Sequence, residues 1–215
     1  MKVQSVSRGF SVLAFAGITV KILSLLYIPF LLAIISDEGY GIYSAAYMVY
    51  VLIYAISNAG IPVAISKSVS ELVAVGNYKD AIRSFKIARS FLLIIGIIMS
   101  IVMFLFASSL SKAIHFEKAY LAIVALSPTL LFTSVASSYR GYFQGRGNMT
   151  PTAISQIIEQ VVNTIFTLVF AALLMRFGLV WACAGGTIGT SLGALFSAVF
   201  LVMYHKRLTG TLFLD

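Results

Sequence analysis

FSVLAFAGITVKILSLLYIPFLLAII, residues 10–35, is an apolar run of 26 positions in which Lys21 carries the single charge. A helix of roughly 20 apolar residues is long enough to cross the hydrocarbon core of a bilayer. The run is longer than the apolar core of a signal peptide, and no clean small-residue cleavage site follows it. It therefore predicts a first membrane span that the protein retains.

The rest of the chain has the same character. Of its 215 residues, 60% are hydrophobic and 10% are charged, whereas soluble domains carry about 25% charged residues. Lipid must therefore be the solvent for most of the surface. The predicted fold is all-α, a single membrane domain over 1–215 that forms a polytopic bundle of about six transmembrane helices. The predicted spans are 10–35, 40–65, 90–110, 119–139, 152–175 and 179–204.

Residues 78–89 have the pattern of an interfacial amphipathic helix lying at the lipid headgroups. Apolar and basic side chains each recur every three or four positions, on different faces: Tyr78, Ile82 and Phe85 against Lys79, Arg83 and Lys86. We expect this helix to be separate from the span that follows it.

Residues 140–151, RGYFQGRGNMTP, join the fourth and fifth predicted spans. Three glycines and a proline within twelve positions are typical of tight turns. We therefore expect an ordered loop on the cytoplasmic side. Its candidate functional residues are Arg140, Gly141, Gly145, Arg146 and Pro151.

Basic residues divide unequally between the two sets of loops. With the N-terminus inside, the outer side holds only Lys112, Lys118 and Arg176. The positive-inside rule then predicts a multi-pass protein of the cytoplasmic membrane with both termini in the cytoplasm. Topology thus accounts for the net charge of +8, and no nucleic-acid-binding signature is present. The basic residues assigned to the cytoplasmic side are Lys2, Arg8, Lys67, Lys79, Arg83, Lys86, Arg89, Arg140, Arg146, Lys206 and Arg207.

Lys21 lies about 16 Å into the first span, near the bilayer centre. An ionisable residue at that depth costs a few kcal/mol. Two interpretations stay open. In the first, Lys21 has a structural role: it is paired with a carboxylate, or it lies near a span boundary that differs from the predicted one. In the second, it faces a water-filled cavity, where it would suit an anionic substrate.

A polar stripe runs along the fifth span. Gln156, Glu159, Asn163 and Thr167 share one helical face, with Gln160 beside them. Such a stripe should face the bundle interior. It either holds helices together by hydrogen bonds or lines a cavity, and Glu159 favours the cavity because a carboxylate needs water, a proton or a cation.

Small and helix-breaking residues mark two further features. Gly185, Gly189 and Gly193, spaced by four, predict a ridge for close helix packing. Asn58, Gly60 and Pro62 interrupt the far end of the second span. We take Asn58 as a further cavity candidate, and the break as either an ordinary kink or a hinge of the kind found in transporters.

Residue patterns typical of enzymes are lacking. The chain has neither paired carboxylates nor a Ser-His-Asp set nor HExxH. Its one cysteine, Cys183, and its two histidines form no ligand pair. The prediction is therefore a protein that is not an enzyme, with no catalytic residue, metal or cofactor.

Three motifs resemble one family. RGYFQG at 140–145 with NMTPTA at 148–153 and EQ at 159–160, AGIPVAISK at 59–67, and EGYGIY at 38–43 resemble the multidrug/oligosaccharidyl-lipid/polysaccharide (MOP) exporter superfamily. The similarity is to its branch of polysaccharide-biosynthesis proteins, stage V sporulation protein B and MurJ-type lipid flippases. It covers about residues 5–205.

The resemblance implies the N-terminal lobe of a two-lobed, MATE- or MurJ-like transporter with a cationic cavity between the lobes. Such a transporter would flip lipid-linked oligosaccharide or peptidoglycan precursors by alternating access. The implied partners are membrane lipids, a coupling ion (H⁺ or Na⁺), and a second lobe or second copy. Lys21 matches a basic position in the first helix of the family. Members of the family usually carry further arginines on that helix, and this chain has Ile28 and Ala33 there instead.

Two alternatives remain. A drug or cation antiporter of the same superfamily would have an acidic, aromatic cavity, so that Lys21 with a single buried carboxylate favours the flippase. A half-length membrane scaffold that transports nothing would use the glycine ridge to bind a partner.

Overall fold

A computed structural model describes residues 5–58 and 60–212, and within these ranges all regular structure is helical. Lys2 and Ala59, which entered the sequence analysis, lie outside the described residues. The all-α prediction is confirmed. Short 3-10 turns at Glu117–Ala119 and Met175–Phe177 precede the fifth and seventh helices. The helices are α1 (Val6–Asn58), α2 (Ile61–Ala74), α3 (Tyr78–Leu105), α4 (Ala107–Ala113), α5 (Tyr120–Gly145), α6 (Thr150–Leu174) and α7 (Leu179–Leu212).

Helix α1 folds back on itself at Ser36. A straight helix of its 53 residues would be about 80 Å long, more than twice the hydrocarbon thickness. Ser36 instead has φ 58° and ψ 179°, and the hydroxyls of Tyr27 and Tyr43 lie 3.4 Å apart. Sixteen positions of straight helix would separate them by about 24 Å. The two arms, 6–35 and 37–58, therefore run side by side.

The described chain has five apolar helical stretches long enough to cross a membrane, and the first of them, Ser7–Ala74, contains both arms of α1. Counted separately, the arms bring the number of spans to six. The prediction of about six transmembrane helices is therefore confirmed.

Replacing Ser36 with glycine should stabilise the protein by about 1 kcal/mol. The backbone conformation of Ser36 is one that glycine alone adopts readily, and other residues hold it at a cost of about 1–3 kcal/mol. Ser44→Gly is the matched control. Ser44 is an exposed residue within the second arm, where a glycine should destabilise by about 0.5 kcal/mol. Thermal unfolding in detergent would measure both changes in stability. Stabilisation by both substitutions, or destabilisation by both, would contradict the expectation.

A new helix begins where the second span was expected to continue. α1 ends at Asn58, Gly60 has φ 73°, and Pro62 lies in the first turn of α2. Proline is tolerated there because the first turn of a helix has no partner for its missing N–H. Pro62 therefore starts a helix, and the interruption expected at 58–62 is a break between two helices instead of a kink within one.

Residues 78–89 are not a separate helix. They form the first turns of α3, which continues without interruption to Leu105. Glycine and proline are absent from 78–95, so that nothing ends the helix at the expected boundary. Phe85 is fully buried, with its ring centroid 4.4 Å from that of Tyr142. At this position the apolar stripe packs against α5 instead of facing headgroups.

Most of the expected loop at 140–151 is also helical. Arg140, Gly141 and Gly145 belong to the last turns of α5, and Pro151 lies in the first turn of α6. Only 146–149 form the connection, which contains Arg146 and a glycine, Gly147, at φ 68°.

The two helical glycines have a packing role that the loop prediction missed. A Cβ on Gly141 would lie 2.6 Å from the carbonyl oxygen of Pro62, and one on Gly145 would lie 2.5 Å from that of Ser66. Their spacing of four puts both on one helical face. That face lets α5 approach the backbone of α2 closely.

Helix α7 packs along α6 through its three glycines. A Cβ on Gly185 would lie 2.6 Å from the carbonyl oxygen of Phe170, and one on Gly193 equally close to that of Glu159. A Cβ on Gly189 would overlap the backbone of Thr167. The ridge therefore sets the distance between the two helices.

The two ends of the bundle differ in charge. At the end where α1 reverses, Lys118 donates to Glu38 at 2.5 Å. At the opposite end, Arg89 donates to the hydroxyl of Tyr139 at 3.0 Å, and the ring of His205 lies 5.4 Å from the ring of Tyr139. We call this second end the basic end, because Lys86, Arg89, Arg146, Lys206 and Arg207 lie there on α3, α7 and the connection after α5.

Candidate functional site

A polar cavity of about 240 Å³ lies where α1, α5, α6 and α7 meet. Four predicted cavity residues line it together: Lys21 on α1, with Gln156, Glu159 and Asn163 on α6. The polar stripe of α6 thus faces the first arm of α1. The remaining lining residues are Gly17, Val20, Arg140, Gln160 and Thr190.

Arg140 pairs with Glu159 at one side of this cavity. Its Nη2 donates to Glu159 Oε2 at 2.5 Å and to Ser197 Oγ at 2.8 Å, while its Nε donates to Ser155 Oγ at 2.9 Å. The two charged side chains are 19% and 30% exposed. This ion pair joins α5 to α6 and α7, and it supplies the cation that the Glu159 carboxylate requires.

Asn163 is the centre of a second polar group. Its Oδ1 accepts hydrogen bonds from Thr167 Oγ1 at 2.9 Å and from Thr190 Oγ1 at 3.1 Å. Thr190 also contacts the hydroxyl of Tyr47 on the second arm of α1. The amide therefore ties α6 to α7, and through Thr190 to α1.

Tyr47 belongs to a seam of tyrosines that the sequence analysis overlooked. Their spacings of three and four residues follow a heptad pattern, which puts them on one face of the second arm of α1. Successive ring centroids are 4.8 to 6.3 Å apart. This spacing was the signal that could have found them. The seam consists of Tyr40, Tyr43, Tyr47, Tyr50 and Tyr54.

Asn58 does not line the cavity. Its side chain is 5% exposed and lies against α5, where Nδ2 donates to Ser57 Oγ at 3.2 Å and to Ser134 Oγ at 3.4 Å. The cavity instead lies on the α6 side of α1. Asn58 therefore links α1 to α5 near the break before α2.

The cavity carries an excess of positive charge. Arg140 and Glu159 neutralise each other, and within the described residues Lys21 makes no ion pair. Lys21 and Gly17 are exposed at the rim. The cavity can therefore attract an anionic group.

Helices of membrane-spanning length packed around a polar cavity define a multi-pass membrane protein. The chain belongs to the family described as polysaccharide biosynthesis protein, whose model matches residues 6–213, and with it to the MOP exporter superfamily. The resemblance found in the motifs is therefore confirmed.

Two similar proteins come from Bacillus subtilis (strain 168). Stage V sporulation protein B is 28% identical over 96% of this chain and 40% of its own length. Lipid II flippase MurJ is 30% identical over 95% of this chain and 40% of its own length. The chain thus spans about two fifths of the length of these relatives.

A solved structure has the same fold. The crystal structure of MATE in the straight conformation aligns with a TM-score of 0.75 at 14% identity, over 94% of this chain and 45% of that one. At this identity the likeness concerns the fold alone. The prediction of a MATE-like helical lobe is confirmed at that level.

Proposed function

We propose that this chain is the N-terminal six-helix lobe of a flippase that moves lipid-linked cell-wall or polysaccharide precursors across the cytoplasmic membrane. The observation that carries the proposal is the polar cavity, in which Lys21 has no ion-pair partner among the residues that the structure describes. Precursors joined to lipid through phosphate are anionic, and a cationic cavity attracts them. The relatives named stage V sporulation protein B and lipid II flippase support this substrate class.

A second helical bundle covers the cavity in this proposal. Lys21 and Gly17 are exposed on the flank of α1, and the same arm exposes Phe15 and Ile22. Contact of an ammonium group with lipid tails at this depth would cost a few kcal/mol. Either further chain, as in the longer relatives, or a second copy would enclose the charge.

Transport would proceed by alternating access, with the two bundles rocking about the cavity. An ion gradient, of H⁺ or Na⁺, would drive it. The basic end would face the cytoplasm, together with both termini, by the positive-inside rule. The chain would then transport without catalysing a chemical step. The antiporter and scaffold alternatives are not favoured by the relatives.

Complementation tests the proposal in cells depleted of their lipid II flippase. The chain is expressed together with any coding sequence that continues it in its natural gene, and it should restore growth. The Lys21→Ala and Glu159→Gln variants should not restore growth. Lys21→Ala removes the charge that attracts the substrate, and Glu159→Gln unpairs Arg140 inside the cavity. Membrane levels are compared by immunoblotting.

Lys67→Ala is the control, since Lys67 is exposed on α2 and does not line the cavity. Normal growth with both cavity variants would remove those residues from the transport path. If the unchanged protein fails to rescue growth, lipid II is not its substrate, and the same variants are then tested in a strain deficient in export of another lipid-linked polysaccharide precursor.

A further inference from the structure

The side of the bundle formed by α3, α5 and α7 has a long apolar groove. It consists of two cavities, of about 550 and 300 Å³, that share Phe132 and Leu195 in their lining. Along α7 the lining extends from Trp181 to Met203, a rise of about 33 Å. The groove is therefore about as tall as the hydrocarbon core of a bilayer.

The groove ends at basic and polar side chains on all three helices. On α3, Arg89 lies one turn beyond Leu93; on α5, Tyr139 lies one turn beyond Val135; on α7, Lys206 and Arg207 lie one turn beyond Met203. Arg89 donates to the hydroxyl of Tyr139 at 3.0 Å, which holds the guanidinium at this position.

This arrangement matches the two parts of a phospholipid. The apolar part from Met203 to about Leu192 rises roughly 16 Å, which is half the hydrocarbon thickness and the length of one leaflet's acyl chains. The basic side chains then lie at headgroup depth, where Lys and Arg attract anionic lipids.

We propose that this groove is a binding site for an anionic phospholipid of the leaflet at the basic end. An acyl chain lies over Phe132 and Leu195, and the phosphate is held by Arg89, Lys206 and Arg207. The inference is independent of the transport proposal, because it uses a different side of the molecule. The polar cavity is lined by residues of α1, α5, α6 and α7, and among the described residues none lines both the cavity and the groove.

Quenching of tryptophan fluorescence by brominated lipids tests the site directly. Trp181 is the single tryptophan of the chain, so that Trp181→Phe with Phe132→Trp moves the reporter to the middle of the groove. The protein is reconstituted in vesicles of phosphatidylcholine and phosphatidylglycerol, with bromine on the acyl chains of one lipid at a time. Brominated phosphatidylglycerol should quench with an apparent affinity on the order of fivefold higher, the value for one basic side chain near an anionic lipid.

Lys206→Gln with Arg207→Gln should abolish most of this preference and bring the two apparent affinities close to equal, since two of the three side chains that hold the phosphate lose their charge. Lys67→Gln with Arg83→Gln is the matched control. It makes the same change in net charge on α2 and α3, at residues that do not line the groove, and should leave the preference unchanged.

Three results would overturn the proposal. Equal quenching of the tryptophan fluorescence of the Phe132→Trp reporter by brominated phosphatidylglycerol and brominated phosphatidylcholine would show that the groove does not select anionic lipid. An equal loss of lipid preference in the Lys206/Arg207 variant and in the Lys67/Arg83 control would show that anionic lipid is attracted by the basic surface in general. Weak quenching by both lipids would show that the groove is covered by protein. Circular dichroism of each variant would verify that the exposed substitutions leave the helices folded.

Discussion

Arg140→Met should lower the free energy of unfolding by about 3 kcal/mol, the effect of removing one partner of a largely buried ion pair. Glu159 would lose its cation, and Ser155 and Ser197 would lose a donor. Arg140→Met combined with Glu159→Gln should recover most of the loss, because neither of these two positions then carries an unpaired charge. Unfolding in a series of detergent and dodecyl sulfate mixtures would measure these differences.

The pair of Lys67 and Glu71 provides the control. These residues also form an ion pair, at 3.9 Å, but their side chains are 77% and 67% exposed. Lys67→Met should therefore change stability by less than about 1 kcal/mol. A similar effect of both single substitutions would mean that the Arg140 pair is solvated in the folded protein.

Gly189→Ala should destabilise the protein by about 2–3 kcal/mol, as expected of overpacking at a close contact. The added methyl group would overlap the backbone of Thr167, and backbone cannot move aside as a flexible side chain can. The two helices would then separate, and the hydrogen bond of Thr167 to the carbonyl oxygen of Gly186 would lengthen from 2.9 Å. Thermal unfolding would measure the loss.

The same substitution elsewhere should have the opposite sign. Gly17 lies within α1, and a Cβ there would meet no atom within 4 Å. Gly17→Ala should therefore stabilise by about 0.5–1 kcal/mol, since alanine loses less conformational entropy in a helix. Destabilisation by both substitutions would argue against steric overlap as the cause at Gly189.

The features that sequence predicted best are those set by lipid. A bilayer requires about 20 apolar residues for each span, so the apolar runs are enough to indicate six spans. Buried polar groups in a membrane must face the bundle interior. This requirement brings Gln156, Glu159 and Asn163 to one cavity with Lys21.

Features that depend on contacts between distant residues could not be predicted. Gly141 and Gly145 were interpreted as turn residues because glycine marks turns and close helix contacts equally well. Their partner, the backbone of α2, cannot be inferred from the motif. Arg140 was assigned to a loop for the same reason, so its pairing with Glu159 was missed.

The reversal at Ser36 was obscured by its residue type. Serine is not a residue that usually adopts φ 58°. The predicted spans 10–35 and 40–65 leave room for a connection at this point, but the sequence offered no sign of a strained backbone. Tertiary contacts, such as that between Tyr27 and Tyr43, hold the chain in this conformation.

The separation of the charges along the chain has a consequence for biogenesis. Arg140 and Glu159 are 19 residues apart, at adjoining ends of α5 and α6, so they can neutralise each other as soon as this helical hairpin leaves the ribosome. Lys21 is translated much earlier, on the order of ten seconds before α6 at ordinary elongation rates. The insertion machinery must therefore accommodate the Lys21 ammonium group before the polar face of α6 has been synthesised.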